Sequence, residues 1–452
     1  MTQVFVVNSA YGLMTAVAAM DAGVIGTPAD GRVLVTVNAA IIPEAAEAIG
    51  EASHLATLRS RFDRVVDLNE LLAPERPPHW RIGHGDAPIL ERLLRTAWGL
   101  GSAPVELFLQ SPQVAPSRVF LDLFPGAAVT VLGDGLMTYS PIRSRWPQWA
   151  ARRVVGVVYA DTVPGLAPLL FAETGAPRMP VPVDALRRVV AEVAERSADA
   201  DLDHLQRFER PALVLGQYLA ALKLVSAAEE RDMQERMIDR ALEWSPSGIV
   251  FKPHPSSAPA LIDDLRSHAH GRGVDFMVYR GTTPAEVLTA RAPFAGAVAG
   301  FSTALPTVQA LTGSPIAAVG TETLLARLAP YENGNRIPVT VIDALTRPDP
   351  AYRDGRMQEL VDAVGYAMQP ETAAHLRPRA EAFLAGASAD EQTRYFSYAR
   401  LTALQLAGGP SAGPLARALA SRDAASRLSE LQLVVRGAGR RGRRAWKAIR
   451  GG

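Results

Sequence analysis

Short runs of β-branched and aliphatic residues alternate along the chain with longer stretches whose apolar positions recur every three to four residues. The runs predict strands at residues 3–7, 32–37, 64–68, 105–109, 127–132 and 154–159. A second series starts after Pro211, at residues 212–215, 248–252, 274–279, 295–299 and 316–319. Helical periods fill the intervals, among them 13–22 and 87–100 in the first series and 227–244 and 259–270 in the second. Strands and helices in alternation build parallel sheets covered on both faces. Between the series, residues 161–184 are rich in Pro and Gly and show no period, which predicts an inter-domain linker. The expected division is an α/β domain over residues 1–160, connecting segments over 161–210, a second α/β domain over 211–345, helices over 346–406 and a basic tail over 407–452. Doubly wound domains in tandem bind ligands in the cleft beyond the carboxyl ends of their strands.

A chain of 452 residues suits two domains better than one. Its 47 basic and 46 acidic side chains nearly cancel, so no global field exists to hold nucleic acid. The absence of cysteine removes disulfides, thiolate nucleophiles and cysteine-held zinc, leaving His and carboxylates for acid–base work. The opening Met1-Thr2-Gln3-Val4 lacks a basic region ahead of its apolar run, and no uncharged apolar run is long enough to span a bilayer. The expected location is the cytoplasm.

Three signals sit at predicted strand ends. In Thr130-Val131-Leu132-Gly133-Asp134-Gly135 an apolar strand ends on a carboxylate between glycines. Asp134 has the chemistry of a general base, although Asp-Gly is also a common turn. In Lys252-Pro253-His254-Pro255 two prolines stiffen the backbone around an imidazole beside a lysine. Such a group can hand a proton to a leaving phosphate, or simply cap the next helix. In Ala299-Gly300-Phe301-Ser302-Thr303 two hydroxyls stand where a helix begins, suited to an anion or to ordinary capping. One carboxylate falls in the first domain and the other groups in the second, which is how a transferase working across a cleft would be assembled.

Other residues carry weaker signals. Asn8, Ser9, Tyr11 and Gly12 follow the first strand and serve equally as ligand contacts or as a turn. His54, His79, His84, His204, His268, His270 and His375 show no ligand spacing, and no metal site is expected. Asp199-Ala200-Asp201-Leu202-Asp203 has the alternation of a metal motif but lies in a polar stretch read as a solvated loop or helix start. The tail from Arg436 to Arg450 sets seven basic residues around Trp446 and Ile449, which suits an anionic membrane surface as well as a solvated terminus.

The motifs Gly133-Asp134-Gly135, His254-Pro255 and Ser302-Thr303, in that order, resemble those of the bacterial α-2,8-polysialyltransferase-like family of sialyltransferases. The resemblance runs over roughly residues 4–321. It implies a GT-B fold of two Rossmann-like domains, acceptor side first and nucleotide side second, and a CMP-sialic acid donor used without a metal. It implies Asp134 as the base, His254 as the group that assists departure of the CMP phosphate, and Ser302 and Thr303 as the phosphate holders. Leu213-Val214-Leu215-Gly216-Gln217-Tyr218 looks like the family's nucleotide-side strand and loop, which adds Gly216 and Gln217 to the donor site, with Lys252, Asn8 and Ser9 beside them. The family sets two acids before the glycine, whereas Gly133 precedes Asp134 here. One carboxylate suffices for a base. The implied partners are a CMP-activated nonulosonic acid and a glycan or glycolipid acceptor in surface polysaccharide synthesis.

Three alternatives stay open from sequence: a Kdo-type transferase with the same donor nucleotide, a GT-B epimerase or nucleoside-diphosphate-sugar transferase, and an inactive scaffold on the same frame.

Overall fold

A computed structural model describes residues 1–39, 48–83, 85–198, 200–254, 259–347, 352 and 355–409. The first sheet holds seven strands: β1 (Thr2–Val7), β2 (Arg32–Thr36), β3 (Arg64–Asp67), β4 (Val105–Gln110), β5 (Ala128–Leu132), β6 (Val154–Ala160) and β7 (Arg178–Val181). Their order is β3-β2-β1-β4-β5-β6-β7, and every pairing is parallel. Every residue of β1 is buried, as a parallel strand covered on both faces requires. Successive side chains go to opposite faces. Phe5 and Val7 join the core beneath the helix Ala10–Asp21, while Val4 and Val6 join the core on the other face with Phe120 and Trp98. Phe5 stacks on Phe108 of β4 with ring centroids 4.3 Å apart.

The second sheet has five strands: β8 (Ala212–Leu215), β9 (Ile249–Lys252), β10 (Phe276–Val278), β11 (Gly296–Ala299) and β12 (Ile316–Ala318). They run parallel in the order β10-β9-β8-β11-β12. All eleven strands expected from the hydrophobic pattern are present, and the architecture is the α/β, GT-B class. Asp201 and Asp203 lie in a helix, Ala200–Leu205, where the Asp201 carboxylate accepts from the backbone N–H of Arg280 at 2.7 Å.

The segment read as an aperiodic linker is built differently. β7 lies inside it and pairs with β6, placing Pro180 on the outer edge of the sheet, where a missing N–H donor is tolerated. The prolines hid this strand. Next, the helix Val183–Arg196 packs Val189 and Val190 against the first helix and against Val287 and Leu311 of the second half. Arg187 on this helix donates to the carbonyls of Leu311 at 2.8 Å and Ala310 at 3.0 Å. The presumed connection is therefore a packed element shared by both halves.

Helices after β12, including Arg336–Thr346 and Arg356–Met368, return to the first domain. Ser140 donates to the Gly334 carbonyl at 3.2 Å, Thr372 to the Ile142 carbonyl at 2.9 Å, and the N–H of Ala167 to Gln358 at 2.6 Å. Tyr139, Leu166 and Leu169 consequently share one core with the second sheet. Among the described residues no helix is long and apolar enough to cross a membrane. The basic tail from Arg436 to Arg450 lies outside the described residues.

Candidate active site at the facing switch points

In each sheet the strand order reverses once, between β1 and β4 and between β8 and β11. Loops at such points diverge and leave a crevice at the carboxyl ends of the strands. In the first sheet the crevice carries Asn8 and Ser9 after β1, Gln110 and Ser111 at the end of β4, and Asp134 after β5.

Asp134 is held by several partners. Gln110 Nε2 donates to Asp134 Oδ1 at 3.1 Å, and Ser111 Oγ lies 3.5 Å from Oδ2. The Asp134 N–H donates to Thr138 Oγ1 at 2.7 Å, which fixes the turn that aims the carboxylate. Ser111 takes a left-handed backbone, φ 52°, unusual for a residue with a side chain and a form of strain that clusters at functional sites. Burial pushes the Asp134 carboxyl above its usual range, and the hydrogen bonds from Gln110 and Ser111 draw it only partly back. A carboxylate made reluctant to stay charged is a better base.

The glycine before it has a steric cause. A Cβ at Gly133 would stand 2.8 Å from Thr138 Oγ1 and 3.0 Å from the Val158 carbonyl. No second acid fits there. The single carboxylate follows from the way this turn packs on β6.

In the second sheet, Gly216 and Gln217 follow β8, His254 follows β9, and Ser302 and Thr303 follow β11. A Cβ at Gly216 would meet the Phe251 ring at 2.7 Å and Pro253 Cα at 3.1 Å, so glycine lets the two loops nest. Gln217 is buried and its Oε1 accepts from the Phe301 N–H at 3.3 Å, tying the β8 loop to the residue before Ser302. His254 stacks on Tyr218, with ring centroids 3.8 Å apart and planes 22° from parallel. Burial holds its imidazole below the usual value. Lys252 directs its ammonium to the Gly281 carbonyl at 2.9 Å and over the Tyr279 ring, near Glu286, whose carboxyl desolvation pushes up and the Lys252 charge draws partly back.

Thr303 stands at the N-cap position of the helix Ala304–Thr312 without a capping bond from its side chain, and Ser302 Oγ accepts from the Ala304 N–H at 3.3 Å. These hydroxyls lie at the positive dipole end of the helix, whose first donors are taken: the Leu305 N–H donates to the Ser302 carbonyl at 3.1 Å and Pro306 has none. The two halves meet here. A Cβ built on Gly135 would lie 3.9 Å from the Thr303 side chain and 3.9 Å from the Tyr11 ring. Burial pushes the Tyr11 phenol up to about 12, while the hydroxyls of Thr307 and Thr162 oppose that rise. Beside Asp134 a cavity of about 210 Å³ opens between the halves, lined in part by Ser111, Gln113, Thr138, Arg143 and Glu332.

The structure thus brings the turn of Asp134 and Gly135 up to Thr303 and stacks His254 of the β9 loop on Tyr218 of the β8 loop. Pro255 lies outside the described residues. Sequence reasoning missed Gln110, Glu286 and Arg143. The signal for Gln110 was available: a polar residue closes the otherwise apolar run Val105–Gln110 at its carboxyl end. Among the described residues no three His, Cys, Asp or Glu side chains cluster as a metal site would need.

The chain resembles solved structures of sugar-handling enzymes. E. coli heptosyltransferase WaaC with ADP matches at 14% identity and a TM-score of 0.31, covering 70% of this chain and 86% of that one. LpCGTa in complex with UDP matches at 15% and 0.39, covering 87% and 97%. Glycyrrhiza uralensis UGT73P12, complexed with glycyrrhetinic acid 3-O-monoglucuronide, matches at 12% and 0.41, covering 84% and 94%. No curated protein matches it. The family model for alpha-2,8-polysialyltransferase (POLYST) matches residues 3–320, which takes in both sheets, Asp134, His254 and Ser302-Thr303. With that match over a two-sheet frame, the chain is a glycosyltransferase and belongs to the alpha-2,8-polysialyltransferase family.

Proposed function

We propose that this glycosyltransferase moves sialic acid, or a related nonulosonic acid, from a CMP-activated donor to a glycan acceptor, with inversion and without a metal. The observation that carries this reading is the approach of the turn that bears the half-buried, hydrogen-bonded Asp134 to the hydroxyl-tipped helix, through Gly135 and Thr303. Asp134 takes the proton of the acceptor hydroxyl. The acceptor oxygen then attacks the anomeric carbon through an oxocarbenium-like transition state, and the bond from that carbon to the CMP phosphate oxygen breaks. Ser302, Thr303 and the helix N-terminus receive the phosphate charge, and His254 donates a proton or a hydrogen bond to it. A single phosphate asks for less positive charge than a diphosphate, so these groups are matched to CMP. Gly216 and Gln217 shape the nucleotide side, and Asn8 and Ser9 face the sugar. The reading places the enzyme in the cytoplasm, in surface polysaccharide synthesis, with the Arg436–Arg450 tail reaching an anionic membrane.

The test is a CMP-release assay with CMP-sialic acid and a panel of glycan acceptors. Turnover that falls by about 10²–10⁴-fold in Asp134→Asn and in His254→Ala supports the assignment. Release of UDP from UDP-sugars, with none of CMP, sinks it.

A further inference from the structure

We propose that Gln110 is a positioning residue that fixes the base and, with the same amide, turns the Ser9 hydroxyl into a donor aimed at a ligand oxygen. The proposal rests on Asp134 being the base. Gln110 is fully buried at the end of β4, at the switch point of the first sheet. Its Nε2 carries two hydrogens. One reaches Ser9 Oγ at 2.7 Å and the other Asp134 Oδ1 at 3.1 Å. Its Oε1 accepts from the Asn8 N–H at 2.9 Å, and its backbone carbonyl from Ser117 Oγ at 2.6 Å. A flipped amide would set a carbonyl against the Asp134 carboxylate and an NH2 against an N–H, so the network allows one orientation.

Ser9 completes the argument. Its oxygen also accepts from the Gly12 N–H at 3.0 Å. Both lone pairs are then engaged, and the one hydroxyl proton is left to donate. Ser9 stands after β1 at the crevice, so the group it seeks is an acceptor oxygen such as a sugar hydroxyl or a carboxylate. Gly12 is part of the device, because a Cβ there would lie 2.3 Å from Gln110 Oε1. The two loops at the switch point are thus set by one side chain.

The groups facing Asp134 define the pH test: the Tyr11 phenol, the Ser111 and Thr138 hydroxyls, Arg143 and Glu332 in the adjoining cavity, and Thr303 opposite. Gln110 hydrogen-bonds the charged carboxylate and so favours it. In Gln110→Leu the acid limb of kcat/KM should move up by about one pH unit, and part of the activity should return at higher pH. Gln110→Glu should move it further. Ser9→Ala should raise KM for the CMP-sialic acid donor about tenfold while leaving the acid limb in place. Should Gln110→Leu not fold, Gly12→Ala displaces the same amide from the other side and should give the same limb shift. An Asp134-dependent limb that stays put in both variants overturns the proposal alone. A wild-type limb that survives Asp134→Asn overturns the base assignment and this proposal with it.

Discussion

Gly135 and Thr303 approach each other across the cleft so closely that a methyl on the first would touch the side chain of the second, 3.9 Å away. They follow strands of different sheets, and Asp134 and Ser302 stand next to them in sequence. If this junction holds the donor phosphate, Thr303→Ala and Ser302→Ala should each raise KM for the CMP donor about tenfold, the usual worth of one hydrogen bond to a charged group. Isothermal titration with CMP gives the same comparison without turnover.

The two titrating groups at the site are pushed towards each other. Burial raises Asp134 and lowers His254. A base must be deprotonated and an acid protonated, so kcat/KM should rise through a pH above the usual carboxylate value of about 4 and fall through one below the usual imidazole value of about 6.5. His254→Ala should abolish the falling limb and keep the rising one. A profile measured over acidic to neutral pH decides this.

Gly216→Ala should act at a distance. Its methyl would press on the buried Phe251 ring and on Pro253, and the loop bearing His254 would have to give way. A displacement near 1 Å at a catalytic group can cost about 10²-fold, so the loss should appear in kcat with little change in overall helix content. Circular dichroism beside the turnover assay separates these outcomes.

Gly133→Asp would restore the paired acids of the family pattern on paper. The cleft has no space for them, because the new side chain would run into Thr138 and the Val158 carbonyl. Overpacking of this kind costs about 1–3 kcal/mol, and the added carboxylate would repel Asp134. Lower thermal stability together with lower activity is the expected result.

Stability at low pH should depend on Asp343. This buried carboxylate accepts from both Arg394 Nε and Nη2 at 2.7 Å, from the Tyr395 hydroxyl at 2.7 Å and from Thr321 Oγ1 at 2.5 Å. Burial alone would raise it, but these hydrogen bonds outweigh that and hold it below its ordinary value. Its contribution is therefore complete above the unfolded value of about 4 and is lost as pH falls through the depressed folded one. Asp343→Asn should cost about 3–5 kcal/mol at neutral pH and progressively less in acid, as read from urea unfolding at the two pH values.

Much of the frame was legible from sequence because parallel strands covered on both faces are written as unbroken apolar runs. β1 and β8 are buried along their whole lengths. β7 was not legible: an edge strand needs fewer backbone donors, so Pro180 and Pro182 could occupy and flank it while erasing its signal. Asp134 and the Ser302-Thr303 pair were legible because each interrupts an apolar run at a strand end. Gln110 escaped notice because its role lies in partners about 100 residues away, in the loop of Asn8 and Ser9. The absence of a second acid had a visible sequence and an invisible cause, since the Val158 carbonyl that excludes it belongs to another strand.

The return of the late helices onto Ile142 and Leu169 has a consequence for synthesis. A ribosome delivers the amino end first, and the first sheet can close well before Thr372 has emerged. Until then the surface around Tyr139 and Leu166 has no cover, and a nascent chain stalled between those points would offer that greasy patch to chaperones or to its neighbours. Truncation near the end of the second sheet should accordingly yield an aggregating fragment instead of a smaller enzyme.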